Sequence, residues 1–309
     1  MKALVTGGAG FIGSTLVDAL LARGDQVSVL DDLSRGRREQ VPDGADFHLM
    51  DVVDDAVNAL LADIRPEVVF HEAAQIDVRR SVSEPVLDTR INVLGTVNLL
   101  EACARAGVRR VVFASSGGAL YGDTEVMPTP EDHPCEPASC YGAAKLAAET
   151  YGRVFTHLHG LEFVALRYAN VYGPRQDPHG EAGVVAIFAE RLLDGDEVII
   201  NGDGSQTRDY VHVDDVVAAN LRAAETANLM AYNIGTGREC DVNEIYRHVA
   251  RAAGIEREPR HGPGKPGEQR RSRLDISRAA ALLDWQPGIA LEDGLSGTVR
   301  WFAGGRHLQ

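Results

Sequence analysis

The sequence predicts an α/β fold in which helices cover both faces of a parallel sheet. Two observations support this prediction. Short runs rich in β-branched residues recur through the first two-thirds of the chain, and longer segments with helical periodicity separate them. Strands that alternate with helices of this length are joined by right-handed crossovers, which produce a doubly wound parallel sheet. Such a sheet binds ligands at the carboxyl ends of its strands.

Six segments have the composition of buried strands, with valine, isoleucine and aromatic residues in short runs. They are residues 2–6 (KALVT), 26–30 (QVSVL), 67–70 (EVVF), 110–115 (RVVFAS), 162–167 (EFVALR) and 230–237 (MAYNIGTG). Segments between them, such as "STLVDALLARG" and "NVLGTVNLLEACARAG", have the 3.6-residue periodicity of helices.

The alternation loosens after residue 173, where turn-rich sequence surrounds one helical stretch. A second segment rich in proline and glycine spans residues 258–268. We therefore predict a first domain of residues 1–173 and 211–240, and a smaller α/β lobe of residues 174–210 and 241–309. The smaller lobe would bind the substrate.

The composition limits the classes of partner. A formal charge of −14 over 309 residues argues against nucleic acid or an anionic membrane as the main partner. The four cysteines and ten histidines lack metal-like spacing, so we expect reduced thiols and no metal site. The N-terminus enters a strand pattern at once, without a signal-peptide pattern, and no apolar run reaches membrane-spanning length. We therefore expect a cytoplasmic protein.

A glycine-rich turn follows the first predicted strand. In "VTGGAGFIG", Gly7, Gly10 and Gly13 have the spacing GxxGxxG and open the first helix. Glycines there let backbone N–H groups approach a pyrophosphate at the positive end of the helix. Asp31, at the end of the second strand, would accept hydrogen bonds from an adenosine ribose and repel a 2′-phosphate. The pattern predicts a Rossmann-type domain that binds NAD rather than NADP.

Other strand ends could line the same cofactor. The ends of neighbouring strands offer polar residues that could contact it and small residues that would leave room for it. The candidates are Asp32, Asp51, Val52, Ala73, Ala74 and Asn92. Three arginines, Arg35, Arg37 and Arg38, follow the second strand and leave a phosphate-tolerant site open, but Asp31 outranks them because it stands at the strand end itself.

The segment "SCYGAAK" (139–145) contains the second candidate site. Tyr141 and Lys145 are four residues apart on a predicted helix, so their side chains share one face. A phenol titrates near pH 10 and needs nearby positive charge to act as a base at neutral pH. We expect Lys145 and the cationic nicotinamide ring to lower the pKa of Tyr141 by ~3 units, which would make it a base for a substrate hydroxyl. A strand-end hydroxyl would share this proton; Ser115 and Ser116 both qualify, and we prefer Ser116.

These motifs resemble the extended short-chain dehydrogenase/reductase superfamily, and within it the bacterial UDP-glucose 4-epimerase family. The similarity also includes "LRYANVYGPRQDP", "GDGSQTRDYVHVDDVV" and "NIGTG", so it covers essentially the whole chain. The resemblance implies an NAD-dependent isomerase that interconverts UDP-glucose and UDP-galactose through a transient 4-keto sugar. It leaves the N-acetyl forms open as further substrates, and it implies a homodimer.

The resemblance also implies individual roles. Tyr141 would be the base, Lys145 would hold the nicotinamide ribose, and Ser116 would assist proton transfer. Additional residues would contact NAD at positions that match the family: Phe11, Ile12, Asp31, Asp51, Val52, Gln75 and Asn92. The UDP-sugar would contact Ser116 and Tyr141 together with Asn170, Val184, Arg208, Lys265, Glu268 and Arg271.

The basic residues are concentrated near the C-terminal part of this pocket. Between Arg247 and Arg273 the chain has eight Lys or Arg against three Asp or Glu, and the resemblance assigns this segment to one side of the diphosphate pocket. Two departures from the family stand out: Cys140 replaces the usual proline before Tyr141, and Ser272 stands near a position where hexose-restricted relatives have a bulky tyrosine.

Three other functions are considered. A 4,6-dehydratase would need acids where Gly117 and Gly118 stand. A uronate 4-epimerase should offer a cation to the sugar carboxylate, whereas Asp177 stands where such relatives tend to have arginine; it stays the alternative because Arg175 is nearby. A non-catalytic NAD-binding protein is disfavoured because Tyr141 and Lys145 are both present.

Overall fold

The computed structural model describes residues 1–179, 183–226, 228–264 and 269–304. Its strands, in chain order, are β1 (Lys2–Thr6), β2 (Gln26–Asp31), β3 (Asp46–Leu49), β4 (Val68–His71), β5 (Arg110–Ser116), β6 (Glu162–Tyr168), β7 (Asn170–Tyr172), β8 (Ile199–Asn201), β9 (Thr207–Arg208), β10 (Tyr210–His212), β11 (Ala231–Ile234), β12 (Cys240–Asp241) and β13 (Arg260–Gly262).

The α-helices are α1 (Phe11–Ala22), α2 (Ala56–Ile64), α3 (Val78–Ser83), α4 (Pro85–Thr89), α5 (Thr96–Ala106), α6 (Gly117–Leu120), α7 (Cys140–His159), α8 (Val184–Asp194), α9 (Val213–Ala223), α10 (Val242–Ala253), α11 (Ser277–Leu282) and α12 (Leu291–Gly304). A π-helical turn, Arg90–Gly95, joins α4 to α5, and a 3-10 turn covers Arg38–Gln40.

Seven parallel strands form the central sheet in the part of the chain that the structure describes, in the order β11-β6-β5-β4-β1-β2-β3. The order reverses at β1, so the sheet is doubly wound and the predicted fold class is confirmed. The six predicted strands correspond to β1, β2, β4, β5, β6 and β11. The edge strand β3 was not predicted because its half-exposed sequence, DFHL, lacks an apolar run.

Helices pack on both faces of the sheet, as its buried strands require. On one face, Leu16 and Leu20 of α1 and Val216 of α9 pack against the sheet. On the other face, Leu61 of α2 and Leu99 of α5 do so. Because all seven strands run in one direction, their carboxyl ends meet along one edge, and the glycine turn, Asp31 and Ser116 all lie on that edge.

A third apolar cluster lies in the region predicted as the smaller lobe. It includes Phe188 of α8, Ile245 of α10 and Leu295 of α12. Two residues of that region, Ala279 and Trp285, pack instead into the cluster on the α1 face of the sheet. The proposed division into two domains stays a prediction. Within the described residues, no helix has both the length and the apolar character that crossing a membrane requires.

Candidate active site

The glycine turn is built by close backbone approaches. Gly7 has φ +69°, and a Cβ there would lie 2.6 Å from the backbone N of Ala73. A Cβ on Gly13 would lie 2.1 Å from the carbonyl oxygen of Gly7, so α1 begins directly against the turn. Among the described residues, no side chain caps the N-terminus of α1 at Gly10. An uncapped helix end reached through glycines fits a pyrophosphate group.

Asp31 is oriented by two backbone donors and is only 7% exposed. Its Oδ2 accepts a hydrogen bond from Ala9 N (2.9 Å), and its Oδ1 accepts one from Leu33 N (2.8 Å). Each oxygen retains a further lone pair that could accept a ribose hydroxyl. Burial raises the pKa of this carboxyl above its usual value, although both backbone hydrogen bonds oppose the shift.

Two of the three neighbouring arginines are engaged by other groups. Arg35 forms ion pairs with Asp77 (3.8 Å) and Asp177 (3.5 Å). The guanidinium of Arg38 lies 4.8 Å from the centre of the Phe47 ring. These contacts, together with the Asp31 carboxylate, favour NAD over NADP.

Gln75 and Asn92 belong to a buried polar network at the end of β4. Asn92 Oδ1 accepts a hydrogen bond from Gln75 N (2.9 Å), and both side-chain amides donate to Asp88 Oδ1 (2.9 Å each). Burial raises the pKa of Asp88, which was not among the predicted site residues. Its position four residues before Asn92, the spacing of one helical turn, is the sequence feature that could have predicted its contact with Asn92. The network orders the loop that carries Ala73 and Ala74.

The remaining candidates near the cofactor edge have local roles in the structure. The exposed Asp32 accepts hydrogen bonds from Ser34 N (2.9 Å) and Ser34 Oγ (2.6 Å). Asp51 Oδ1 accepts a weak one from Val53 N (3.2 Å), and Val52 is buried. Phe11 and Ile12 form the first turn of α1.

Helix α7 brings Tyr141 and Lys145 together. Ser139 caps the helix by accepting a hydrogen bond from Gly142 N (3.1 Å). The Nζ atom of Lys145 lies 5.8 Å from the centre of the Tyr141 ring and donates to Ala114 O (2.8 Å) on β5. The Ser116 side chain lies close enough to the Tyr141 phenol to act against the rise of its pKa. The three predicted catalytic residues therefore meet at the carboxyl edge of the sheet.

Ser115 has a different environment from Ser116. Its hydroxyl donates to Glu149 Oε1 (2.6 Å), in the interior between β5 and α7. Both carboxylate oxygens of Glu149 also accept hydrogen bonds from Arg167 of β6, at 2.9 Å from Nε and 2.7 Å from Nη2. This geometry favours Ser116 over Ser115 as the hydroxyl that acts with Tyr141.

The pKa of Tyr141 differs from the expectation. Burial raises it to about 12, against the effect of the Ser116 side chain, and the carboxylates of Asp88 and Glu72 raise it further. Burial also lowers the pKa of Lys145 to about 8. Without the nicotinamide cation, the pKa of Tyr141 is therefore not lowered. The expected lowering combined that cation with Lys145, and it stays a prediction for the NAD-bound protein.

The predicted substrate residues lie on short strand pairs beside this edge. Asn170 begins β7, which pairs with β10, and its N–H donates to Asp209 O (2.8 Å). Arg208 ends β9, and Thr207 beside it exchanges backbone hydrogen bonds with Arg270 and Ser272. These contacts bring the segment that contains Arg271 alongside Arg208.

The remaining residues that were predicted to contact the substrate are Val184, Arg271, Lys265 and Glu268. Val184 is the first residue of α8. Arg271 is ion-paired with Glu239, which also accepts a hydrogen bond from Thr207 Oγ1 (3.0 Å); Glu239 was not predicted. Lys265 and Glu268 lie outside the described residues. Within the described ranges, no cluster of His, Cys, Asp and Glu could hold a metal ion.

A dinucleotide turn and a buried tyrosine–lysine pair on one edge of a doubly wound sheet define a nicotinamide-dependent enzyme that acts on a hydroxyl-bearing substrate. Comparison with known proteins narrows this class. A match to the NAD dependent epimerase/dehydratase family covers residues 3–235, so the chain belongs to that family. The predicted family and the NAD cofactor are thereby confirmed.

Several relatives are similar over their full length. A UDP-glucose 4-epimerase of Mycolicibacterium smegmatis is 52% identical over 308 residues, 98% of each chain. The structure of a UDP-glucose 4-epimerase with UDP-glucose from Thermotoga maritima is 47% identical, with a TM-score of 0.97 over 100% of both chains. A Thermus thermophilus UDP-glucose 4-epimerase in complex with NAD is also 47% identical, with a TM-score of 0.94 over 98% of this chain and 99% of that one.

NAD+ should lower the pKa of Tyr141. Without the dinucleotide this pKa is about 12, and a cationic ring beside the phenol favours its ionised form. We expect saturating NAD+ to add one phenolate per chain below about pH 9, measured by near-ultraviolet difference spectra. The Tyr141→Phe variant is the control and should show no added phenolate. The same increase in both proteins would contradict the prediction.

Ser115→Ala and Ser116→Ala should have separate effects. Loss of the Ser116 hydroxyl removes a nearby donor that favours the phenolate, so the pKa of Tyr141 in the NAD-saturated protein should rise. Loss of the Ser115 hydroxyl removes a buried hydrogen bond to Glu149, so the free energy of unfolding should fall by ~1–3 kcal/mol. Tyrosine titration and urea unfolding of both variants measure the two effects. If Ser115→Ala shifted the titration and Ser116→Ala did not, the assignment would be reversed.

Proposed function

We propose that the protein is a UDP-glucose 4-epimerase that interconverts UDP-glucose and UDP-galactose with NAD as its resident cofactor. The observation that carries the proposal is the contact of the Tyr141 phenol with Ser116, beside Lys145, at the dinucleotide edge of the sheet. Full-length similarity to UDP-glucose 4-epimerases supports the choice of substrate.

The chemistry divides between cofactor and protein. NAD+, which the glycine turn and Asp31 would hold, would supply a reversible hydride acceptor for C4 of the sugar, so that the hydride could return to the opposite face of the same carbon. Tyr141 removes the proton of the 4-hydroxyl and later returns it, so atoms and charge balance over the cycle. Ser116 hydrogen-bonds the reacting oxygen, and Lys145 places a positive charge next to the phenolate. Between the two transfers the 4-keto sugar turns about its bond to the diphosphate.

The diphosphate must stay bound while the sugar turns. We assign this role chiefly to Arg208, because a guanidinium pairs with phosphate through two charge-assisted hydrogen bonds, with Asn170 as a further donor. Arg271 is assigned a weaker contact, because its Nε and Nη2 already bind Glu239. The basic segment that leads to Arg273 provides local positive charge in an otherwise acidic protein. Holding both ends of the substrate keeps the reacting carbon in place for either hydride transfer.

The two alternative reactions find less support. Arg175, which could have bound a uronate carboxylate, forms an ion pair with Asp18 of α1 (2.6 Å) and hydrogen-bonds Ser14 (3.2 Å). An acid at position 117 for dehydration would require the buried Leu274 side chain to move, because a Cβ on Gly117 would lie 2.5 Å from Leu274 Cδ1. The small, buried Ser272 keeps the N-acetyl sugars as candidate substrates.

Conversion assays test the proposal directly. Purified protein is mixed separately with UDP-glucose, UDP-N-acetylglucosamine and UDP-glucuronate, and the 4-epimers are resolved by chromatography. We expect conversion of UDP-glucose, and loss of general-base catalysis in Tyr141→Phe should lower kcat by about 100-fold or more while NAD stays bound. No 4-epimer from any of the three sugars would refute the proposal. Conversion of the uronate alone would favour the alternative reaction.

We also propose a homodimer formed through α7 and the helical segment from α4 to α5. Val86 is 82% exposed and Leu158 is 65% exposed. Tyr151, Val154 and Leu158 recur at helical spacing on α7, so they share one apolar face. A contiguous apolar surface of this kind is typical of a self-complementary interface between two copies.

Charges on this surface should separate the subunits. Val154→Asp combined with Leu158→Asp would bury carboxylates in the interface, so we expect a monomer by light scattering. Leu282→Asp, on the half-exposed face of α11, is the matched control and should stay dimeric. A monomeric wild-type protein, or equal behaviour of both variants, would contradict the dimer proposal.

The four cysteines, all within the described part of the chain, are free thiols. Unpaired cysteines are typical of a reducing compartment. We include a cytoplasmic location in the proposal on this basis.

A further inference from the structure

Asp209 is a buried carboxylate that the proposed chemistry does not use. It separates β9 from β10 and is 1% exposed. Its Oδ1 accepts hydrogen bonds from Thr236 N (2.7 Å) and Thr236 Oγ1 (2.6 Å). Its Oδ2 accepts hydrogen bonds from Gly237 N (3.0 Å) and Leu274 N (3.3 Å). Four donors from two distant segments therefore converge on one carboxylate.

The backbone around Asp209 is shaped to admit it. A Cβ on Gly235 would lie 2.6 Å from Asp209 Oδ2, so the glycine leaves the space that the carboxylate occupies. The carbonyl oxygen of Asp209 accepts the N–H of Asn170 (2.8 Å). The motifs "RDYVHVDD" and "NIGTG", which are far apart in the sequence, thus meet at this carboxylate.

Each segment with a proposed diphosphate contact is joined at this point. Arg208 directly precedes Asp209, Asn170 donates to its backbone, and Arg271 lies three residues before Leu274. Hydrogen bonds to a buried charge are strong, and a donor left without its acceptor there is costly. A change at the Asp209 carboxylate would therefore move the Arg271 segment relative to Arg208 without a direct contact to the dinucleotide turn.

We propose that Asp209 is a positioning residue whose carboxylate fixes the Arg271 segment, through Leu274, against Arg208, and so sets the affinity for the diphosphate of a UDP-sugar. This inference rests on the proposed function for the identity of the ligand. Asp209 itself need not touch the ligand. Its effect should appear in nucleotide binding and leave the chemical step nearly unchanged.

Asp209→Asn tests the inference, because the amide replaces one acceptor oxygen by a donor that faces other donors. We expect the Kd for UDP, measured by calorimetry on the NAD-loaded protein, to rise about tenfold or more, which corresponds to ~1.4 kcal/mol. KM for UDP-glucose should rise in parallel, while kcat at saturation stays within about threefold. NAD content should not change.

Asp215→Asn is the matched control. Asp215 is also buried and also holds a distant segment, since its carboxylate accepts hydrogen bonds from Gly288 N (2.8 Å) and Ile289 N (3.2 Å). These partners lie outside the segments that contain Arg208, Asn170 and Arg271. We expect a loss of stability comparable to that of Asp209→Asn, with an unchanged Kd for UDP.

A milder variant covers the case in which Asp209→Asn does not fold. Thr236→Val removes one of the four donors at nearly constant volume and should raise the Kd for UDP in the same direction by about threefold. An unchanged Kd in every folded Asp209 or Thr236 variant would overturn the inference, as would equal weakening in Asp215→Asn. A wild-type protein that binds UDP but epimerises no sugar would refute the proposed function alone, and one that binds no UDP would overturn both.

Discussion

The position of α7 depends on the buried ion pair between Glu149 and Arg167. Glu149 follows Tyr141 and Lys145 at four-residue intervals, so all three lie on the side of the helix that faces the sheet. Both carboxylate oxygens of Glu149 are held by one guanidinium on β6. Burying such a pair adds little net stability, but separating it costs several kcal/mol. The pair therefore fixes the rotation of α7 about its axis and its position along that axis. This placement brings Tyr141 next to Ser116.

Local patterns were sufficient to predict most of the fold. The β-branched runs, the glycine spacing and the carboxylate at the end of β2 each depend on residues close in sequence, and the structure has them where they were expected. The edge strand β3 was not predicted, because an exposed strand needs no apolar run. The π-helical turn between α4 and α5 was not predicted, because its sequence does not differ from that of an ordinary helix.

The electrostatics of the site could not be predicted in the same way. The charges that we expected to act on Tyr141 were those of Lys145, its helical neighbour, and of the nicotinamide ring. The groups that raise its pKa, Asp88 and Glu72, come from strand ends and helices more than fifty residues earlier in the sequence. The same limit applies to Asp209 and Glu239, whose partners are distant in the chain. Nothing in a local sequence pattern reports how deeply a group is buried or which remote carboxylate faces it.

The contact between position 117 and Leu274 restricts how this scaffold could diversify. An acidic side chain at 117 would require the Leu274 side chain, which is 1% exposed, to move, and its Cβ would lie 3.2 Å from the carbonyl oxygen of Arg167. At position 118, in contrast, nothing lies within 4 Å of an added Cβ. A descendant that eliminates water could therefore acquire an acid at 118 directly, whereas one at 117 would need a compensating change at Leu274.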